Sequence, residues 1–152
     1  MEIVVLCGVP GSGKSTLSRT MFSDYVRINL DTLRTRHRED VAISQAISRQ
    51  RSMVIDNTNV TSRVRRKYIE IARKHGFRVR AVCLVCPPSL AISRNSKRKG
   101  TKEYVPVSAI MRYYRIFEIP TKEEGFDSVE FVLQMPEEMQ ANAKSERSGD
   151  SA

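Results

Sequence analysis

The sequence predicts an α/β protein, a mostly parallel five-stranded sheet flanked by helices, in one domain over residues 1–135. Two patterns predict it. Short β-branched and apolar runs alternate with stretches whose apolar residues recur at helical spacing. The first run, Ile3-Val4-Val5-Leu6-Cys7, is apolar without interruption, as in a parallel strand covered on both faces. A chain of 152 residues also has the length of a single core.

The elements follow in order. Ile3 to Cys7 stops at Gly8, and after a glycine-rich turn Lys14 to Met21 opens a helix. Tyr25 to Leu30 reads as a second strand, ending at Asp31. Ile43, Ala46, Ile47 and Gln50 fall at helical spacing, with Ala42 beside them, and predict a helix from about Glu39. Met53 to Ile55 is a third strand, stopped by Asp56-Asn57. Thr61 can cap a helix whose expected buried stripe is Val64, Tyr68, Ile71 and Ala72, closed by His75-Gly76. Val79 to Cys86 is the fourth strand, and Pro88 suits a first helical turn. Pro106 opens a helix with Ile110, Tyr113, Tyr114 and Phe117 on one face, stopped at Pro120. Ser128 to Leu133 is a fifth strand in which Val129, Phe131 and Leu133 alternate. From Pro136 to the end the composition is that of a disordered tail.

Charge narrows the function. The 26 Lys and Arg outnumber the 17 Asp and Glu, giving +9 overall. Taking away the two basic and four acidic side chains from 136 onward leaves +11 on residues 1–135, a surface suited to polyanions. No apolar stretch approaches the roughly 18 residues of a membrane helix, so no membrane partner is expected. The opening apolar run is too short for a signal peptide, and an odd count of three cysteines makes no disulfide framework; a cytoplasmic protein is expected. Asn59-Val60-Thr61 then matches a glycosylation acceptor only by accident.

Gly8-Val9-Pro10-Gly11-Ser12-Gly13-Lys14-Ser15 satisfies the phosphate-loop pattern G-x-x-x-x-G-K-[ST], followed by Thr16. It lies between a buried strand and a helix start, where backbone N–H groups and the positive helix end face one hollow. In that pattern Lys14 reaches the β and γ phosphates and the Ser15 hydroxyl ligates Mg2+.

A phosphate cradle alone does not name the acceptor. Asp31 and Arg34 stand where ligands of open α/β sheets bind, beyond a strand's carboxyl end. Asp31 can accept the proton of an attacking hydroxyl, with Arg34 clamping an acceptor phosphate, or it can simply cap a helix. Asp56 ends an apolar strand: it can hold the magnesium shell, brace an arginine and the acceptor hydroxyl, or form a turn with Asn57. The run from Arg94 to Lys102 holds five cations in nine residues, either a basic helical lid closing over a nucleotide or a solvated face.

Together these segments, Gly8 to Thr16, Ile28-Asn29-Leu30-Asp31-Thr32-Leu33-Arg34, Ile55-Asp56-Asn57-Thr58-Asn59 and Arg94-Asn95-Ser96-Lys97-Arg98-Lys99-Gly100-Thr101-Lys102, resemble the kinase domain of phage-type polynucleotide 5′-kinases. They come in that family's order and cover nearly all of residues 1–120. The resemblance implies an adenylate-kinase-like P-loop fold that moves the γ-phosphate of ATP, or another nucleoside triphosphate, to the 5′-hydroxyl end of RNA or DNA. It implies Asp31 as general base, Arg34 on the acceptor's 3′ phosphate, and Lys14, Ser15 and Arg98 on the donor. Arg94 matches a lid position; Asp56, with Asn57, would line the acceptor site. Two departures stand out: nothing resembles the aspartate motif of the phosphatase that relatives carry, so no phosphatase activity is expected, and only 24 residues separate Asp31 from Asp56.

The remaining signals are weaker. Arg63, Arg65, Arg66, Lys67, Arg73, Lys74, Arg78 and Arg80 put eight cations into eighteen residues, a solvated face or, with Arg34, Arg36 and Arg38, a track for a nucleic-acid backbone. Tyr104, Tyr113 and Tyr114 are the candidate stacking platforms, the last two having core packing as the favoured alternative. Cys83 and Cys86 read as core thiols, since positions i and i+3 of a strand face opposite ways. His37 and His75 lack partners for a triad or a zinc site. Competing readings are a kinase of a nucleoside or sugar acid and a nucleotide-gated binding module; the Asn-Lys-x-Asp and Asp-x-x-Gly segments of nucleotide switches are absent.

Overall fold

The computed structural model describes residues 1–136, so the expected tail lies, save for Pro136, outside the described residues. Five parallel strands form one sheet in the order β2-β3-β1-β4-β5: β1 Glu2–Cys7, β2 Val26–Ile28, β3 Met53–Ile55, β4 Arg78–Val85 and β5 Ser128–Leu133. The uninterrupted apolar run of β1 places it in the middle, where both faces are covered. The helices are α1 Lys14–Met21, α2 Leu30–Leu33, α3 Arg36–Ser48, α4 Ser62–His75, α5 Pro88–Ser96 and α6 Val107–Ile116.

On one face Ile3 and Val5 pack with Ile43 and Ala46 of α3 and with Tyr68, Ile69 and Ala72 of α4. On the other, Val4 and Leu6 meet Phe22 and Leu17 at α1. Each such aliphatic side chain contributes about 2 kcal/mol by leaving water. A third cluster joins α5 to α6 through Ala91 and Ile110, under Val9 of the glycine loop. Because every strand is parallel, the glycine loop after β1, the segment after β2 and the Asp56–Asn59 segment after β3 all emerge on one rim.

Several elements differ from the expectation. The second strand ends at Ile28, because Asn29 caps a helical turn: its Oδ1 accepts from Thr32 N at 3.0 Å. Asp31 is therefore inside α2 and is not its cap. Helix α3 starts at Arg36, ahead of Glu39, with Thr35 as its cap, and Gln50 lies beyond its end at positive φ. The buried face of α4 is Arg65, Tyr68, Ile69 and Ala72; Val64 is exposed, since the fully buried Arg65 takes the inward position. On β5 Phe131 and Leu133 are 56% and 63% exposed, the strand being an edge whose outer side no element covers within the described residues. The fourth strand ends at Val85, so Cys86 joins the α5–α6 cluster while Cys83 stays in the sheet core. Cys7, Cys83 and Cys86 are free and buried, and burial pushes the Cys7 thiol up to about 12 and Cys83 up to about 11. Asn59 is buried at positive φ with its amide donating to Leu6 O at 2.7 Å, which leaves no side chain for a glycan.

Candidate active site

The glycine loop is shaped by close contact. Gly11 sits at φ 84°, and a Cβ there would come within 2.7 Å of the Ala91 carbonyl, so α5 packs directly on the loop. Gly13 sits at φ 96°, under the Arg94 guanidinium and the Gln134 amide. Inside the curl, Ser12 Oγ is buried without a hydrogen-bond partner among the described residues. Lys14 turns its amine inward, donating to the carbonyls of Gly8 and Val9 at 2.9 Å each. Burial pulls its pKa down to about 8, against the opposing pull of the Asp56 charge; the Arg98 charge adds to the lowering. An ammonium held this way can exchange its carbonyl partners for phosphate oxygens, and the unpartnered Ser12 hydroxyl fits a loop built for an anion.

Asp56 is 2% exposed, and it braces an arginine: Arg27 Nε donates to its Oδ2 at 2.8 Å. The same guanidinium donates to Ser15 Oγ at 3.3 Å. A hydroxyl and a buried carboxylate beside a phosphate loop are suitable donors for Mg2+, with Arg27 as their present counter-charge. The arginine braced by Asp56 is thus Arg27 of β2.

Asp31 lies in the one-turn helix α2 and Arg34 is its C-terminal cap, both exposed and both without a side-chain hydrogen bond or ion pair among the described residues. Two asparagines suspend that turn. Asn29 Nδ2 donates to Asp56 O at 2.7 Å, and Asn57 Oδ1 accepts from Leu30 N at 2.8 Å. Arg34 ends the turn at φ 74°, a left-handed conformation uncommon outside glycine. The Asp31 charge reaches Lys14, whose pKa it acts to raise.

The basic segment from Arg94 is helical through Ser96 and continues as turns carrying Lys97, Arg98, Lys99 and Lys102. Helix α5 buries Ala91 and Asn95. Asn95 closes the turns: its Nδ2 donates to Val105 O at 2.6 Å and its Oδ1 accepts from Val105 N at 2.9 Å. Arg94 donates to Gln134 Oε1 at 3.3 Å above Gly13. Lys14, Ser15, Arg94 and Asp56 therefore gather at the loop, Arg98 is close enough for its charge to act on Lys14, Thr16 is exposed at the start of α1, and Asp31 and Arg34 stand on the adjoining rim.

Residues 3–120 match the family described as an AAA domain. The chain belongs to this AAA-domain family of P-loop proteins. Among its relatives, a bifunctional polynucleotide phosphatase/kinase of Schizosaccharomyces pombe is 38% identical over 135 residues, covering 86% of this chain and 33% of the relative. Its namesake from Acanthamoeba polyphaga mimivirus is 35% identical over 138 residues, with the same 86% and 33% coverage. The AAA domain spans about a third of the length of these two relatives, and it corresponds to their kinase part. Among solved structures, a gluconokinase from Sinorhizobium meliloti 1021 has the same fold, with a TM-score of 0.62 at 21% identity over 89% of this chain and 84% of that one. Kinase homology and a nucleotide-binding P-loop fold are thereby shown for this AAA domain. No helix of the described residues is long and apolar enough to cross a membrane.

Sequence reasoning missed Arg27, Asn29, Glu39 and Gln134. Arg27 carried a signal, a lone cation between the apolar residues of a short strand; the others are polar residues whose partners lie far off in the chain.

Proposed function

We propose that the chain is an ATP-dependent polynucleotide 5′-hydroxyl kinase. The observation that carries this reading is the α2 turn, which presents a carboxylate and a guanidinium, both unpaired among the described residues, on the rim next to Lys14. The 38% identity to a polynucleotide phosphatase/kinase supports it.

In this reading the loop N–H groups, Lys14, Arg94 and Arg98 hold the triphosphate and offset the charge of the transferring group. Arg34 grips a phosphate of the acceptor strand, and Asn57 keeps the turn in place. The 5′ oxygen attacks the γ-phosphorus, its proton passes to the Asp31 carboxylate, and the bond to the β-bridging oxygen breaks, its electrons leaving with ADP. Phosphoryl transfer through a loose transition state asks mainly for positioning, so Asp31 orients the hydroxyl as well as taking its proton. Ser15 and Asp56 would hold Mg2+, which when bound supplies neutralisation of phosphate charge.

The test offers γ-labelled ATP with magnesium to 5′-hydroxyl oligonucleotides of RNA and DNA beside a panel of sugars and nucleosides. Label is expected on the oligonucleotides. Label only on small acceptors, or only as free phosphate, overturns the reading. Asp31→Asn should lower transfer about a hundredfold or more while leaving nucleotide binding nearly intact. Full transfer by that variant assigns the proton to another group.

A further inference from the structure

Glu39 belongs to none of the motifs, yet it is a completely buried carboxylate, with 0% exposure. Such a group is costly unless it is paired and its lone pairs are filled. Four donors from three parts of the chain fill them. Lys67 Nζ and the Tyr68 hydroxyl of α4 each reach Oε1 at 3.0 Å. Arg36, one turn earlier in α3, donates to Oε1 at 3.2 Å and to Oε2 at 3.3 Å. Asn57 Nδ2, from the segment after β3, donates to Oε2 at 3.1 Å.

The last contact leads to the acceptor turn. An ionised carboxylate only accepts, so Asn57 must face it with its amide nitrogen. That leaves Oδ1 of Asn57 for the Leu30 N–H, which it meets at 2.8 Å. The opposite amide orientation sets oxygen against carboxylate and nitrogen against N–H, repulsive at both ends. Leu30 is the first residue of α2, and its N–H has no partner within that helix. Glu39 thereby determines how the turn bearing Asp31 and Arg34 is hung.

We propose that Glu39 is a positioning residue of the kinase: through the amide orientation of Asn57 it fixes the start of α2, and so the direction in which Asp31 and Arg34 meet the acceptor. It rests on the reading of Asp31 and Arg34 given above. Burial acts to raise the pKa of Glu39, but the hydrogen bonds from Lys67 and Tyr68 and the charges of Lys67 and Arg36 outweigh it and hold the carboxyl below its ordinary range. The acceptor-only form is therefore the one present at neutral pH.

A reversal of hydrogen-bond polarity tests this. Glu39→Gln removes the obligatory acceptor, and Asn57→Asp sets two carboxylates face to face. Each should lower kcat/KM for a 5′-hydroxyl oligonucleotide about tenfold, with the Kd of a fluorescent ATP analogue moving less than about twofold. Combined, the Gln amide donates to the new Asp, whose other oxygen still accepts from Leu30 N, and activity should recover to within about threefold of the parent. A double variant as poor as the worse single, or parental kcat/KM in Glu39→Gln, overturns the proposal. Tyr68→Phe strips one donor from Glu39 and keeps the ring, so it folds even if Glu39→Gln does not. It should lower acceptor kcat/KM about threefold, and parental activity there also overturns the proposal. Asp31→Asn is measured in parallel. Normal transfer without Asp31 overturns the reading of the turn and this inference with it, whereas dependence on Asp31 without dependence on Glu39 overturns this inference alone.

Discussion

At the scale of single residues, the site divides by how local its chemistry is. The places of Lys14 and Ser15 were legible because a contiguous pattern sets the loop and helix start they occupy; Asp31 and Arg34 were legible as a pair beyond one strand's end. Glu39 and Arg27 were not, since their partners Asn57, Tyr68, Asp56 and Ser15 are brought to them by packing and leave no periodic trace. Glu39 also has a thermodynamic consequence. Its folded pKa lies below the ordinary value of 4.5, against the pull of burial, because Lys67, Tyr68 and Arg36 favour the ionised form. The folded protein thus binds fewer protons than the unfolded chain near that value, and the stabilisation is complete above it and lost as pH falls through the folded pKa. Urea unfolding between about pH 6 and about pH 3 should therefore show the parent losing stability more steeply than Glu39→Gln. Parallel curves for the two proteins would show that Glu39 gains nothing from its partners.

At the scale of elements, helix α4 shows where periodicity misleads. Its apolar residues allow a stripe through Val64 and Ile71, but the inward face carries Arg65, which no hydropathy pattern selects. Arg65 is 0% exposed, its Nε and Nη2 donating to Glu124 at 2.8 and 3.0 Å and its Nη1 to Asn59 O at 2.8 Å. A fork that fills both carboxylate oxygens and a loop carbonyl fixes the rotation of α4, and that rotation turns Lys67 and Tyr68 toward Glu39. Removing one partner of a buried pair leaves the other without compensation, so Arg65→Ala should destabilise the fold by about 3 kcal/mol. The exposed Lys74→Ala on the same helix should change it by less than about 0.5 kcal/mol. Chemical denaturation compares the two, and similar small losses would mean that Arg65 does not set the helix. The other elements were legible to within a few residues, with two informative exceptions. The turn α2 was hidden inside an apparent strand because its cap, Asn29, follows β-branched residues directly. The start of α3 was hidden because Arg36, His37 and Arg38 add no apolar signal.

At the scale of the whole molecule, the parallel class was legible from alternation, whereas the order β2-β3-β1-β4-β5 was not, being decided by contacts between strands distant in sequence. The charge was legible as a total and is now partitioned. Of the expected basic face, Arg65, Lys67 and Arg80 are spent on Glu124, on Glu39 and Asp40, and on Glu2 and Glu130. Arg63, Arg66, Lys74 and Arg78 are exposed and form no ion pair among the described residues. They are not equivalent. Arg63 precedes Lys67 by one helical turn and shares its face, which looks toward α3 and the acceptor turn. Arg66 instead lines a cleft with Thr121 and Glu123. For a strand held by Arg34, the exposed Arg38 of α3 and Arg63 of α4 are the candidate next contacts. Each phosphate of a single strand that a cation neutralises contributes about −0.7 to the slope of log affinity against log salt. Arg38→Ala combined with Arg63→Ala should make that slope shallower by about 1.4 for an oligonucleotide acceptor, with the salt dependence of ATP binding unchanged. Steady-state kinetics across a potassium chloride series measures both. An unchanged acceptor slope would assign the two arginines to plain solvent.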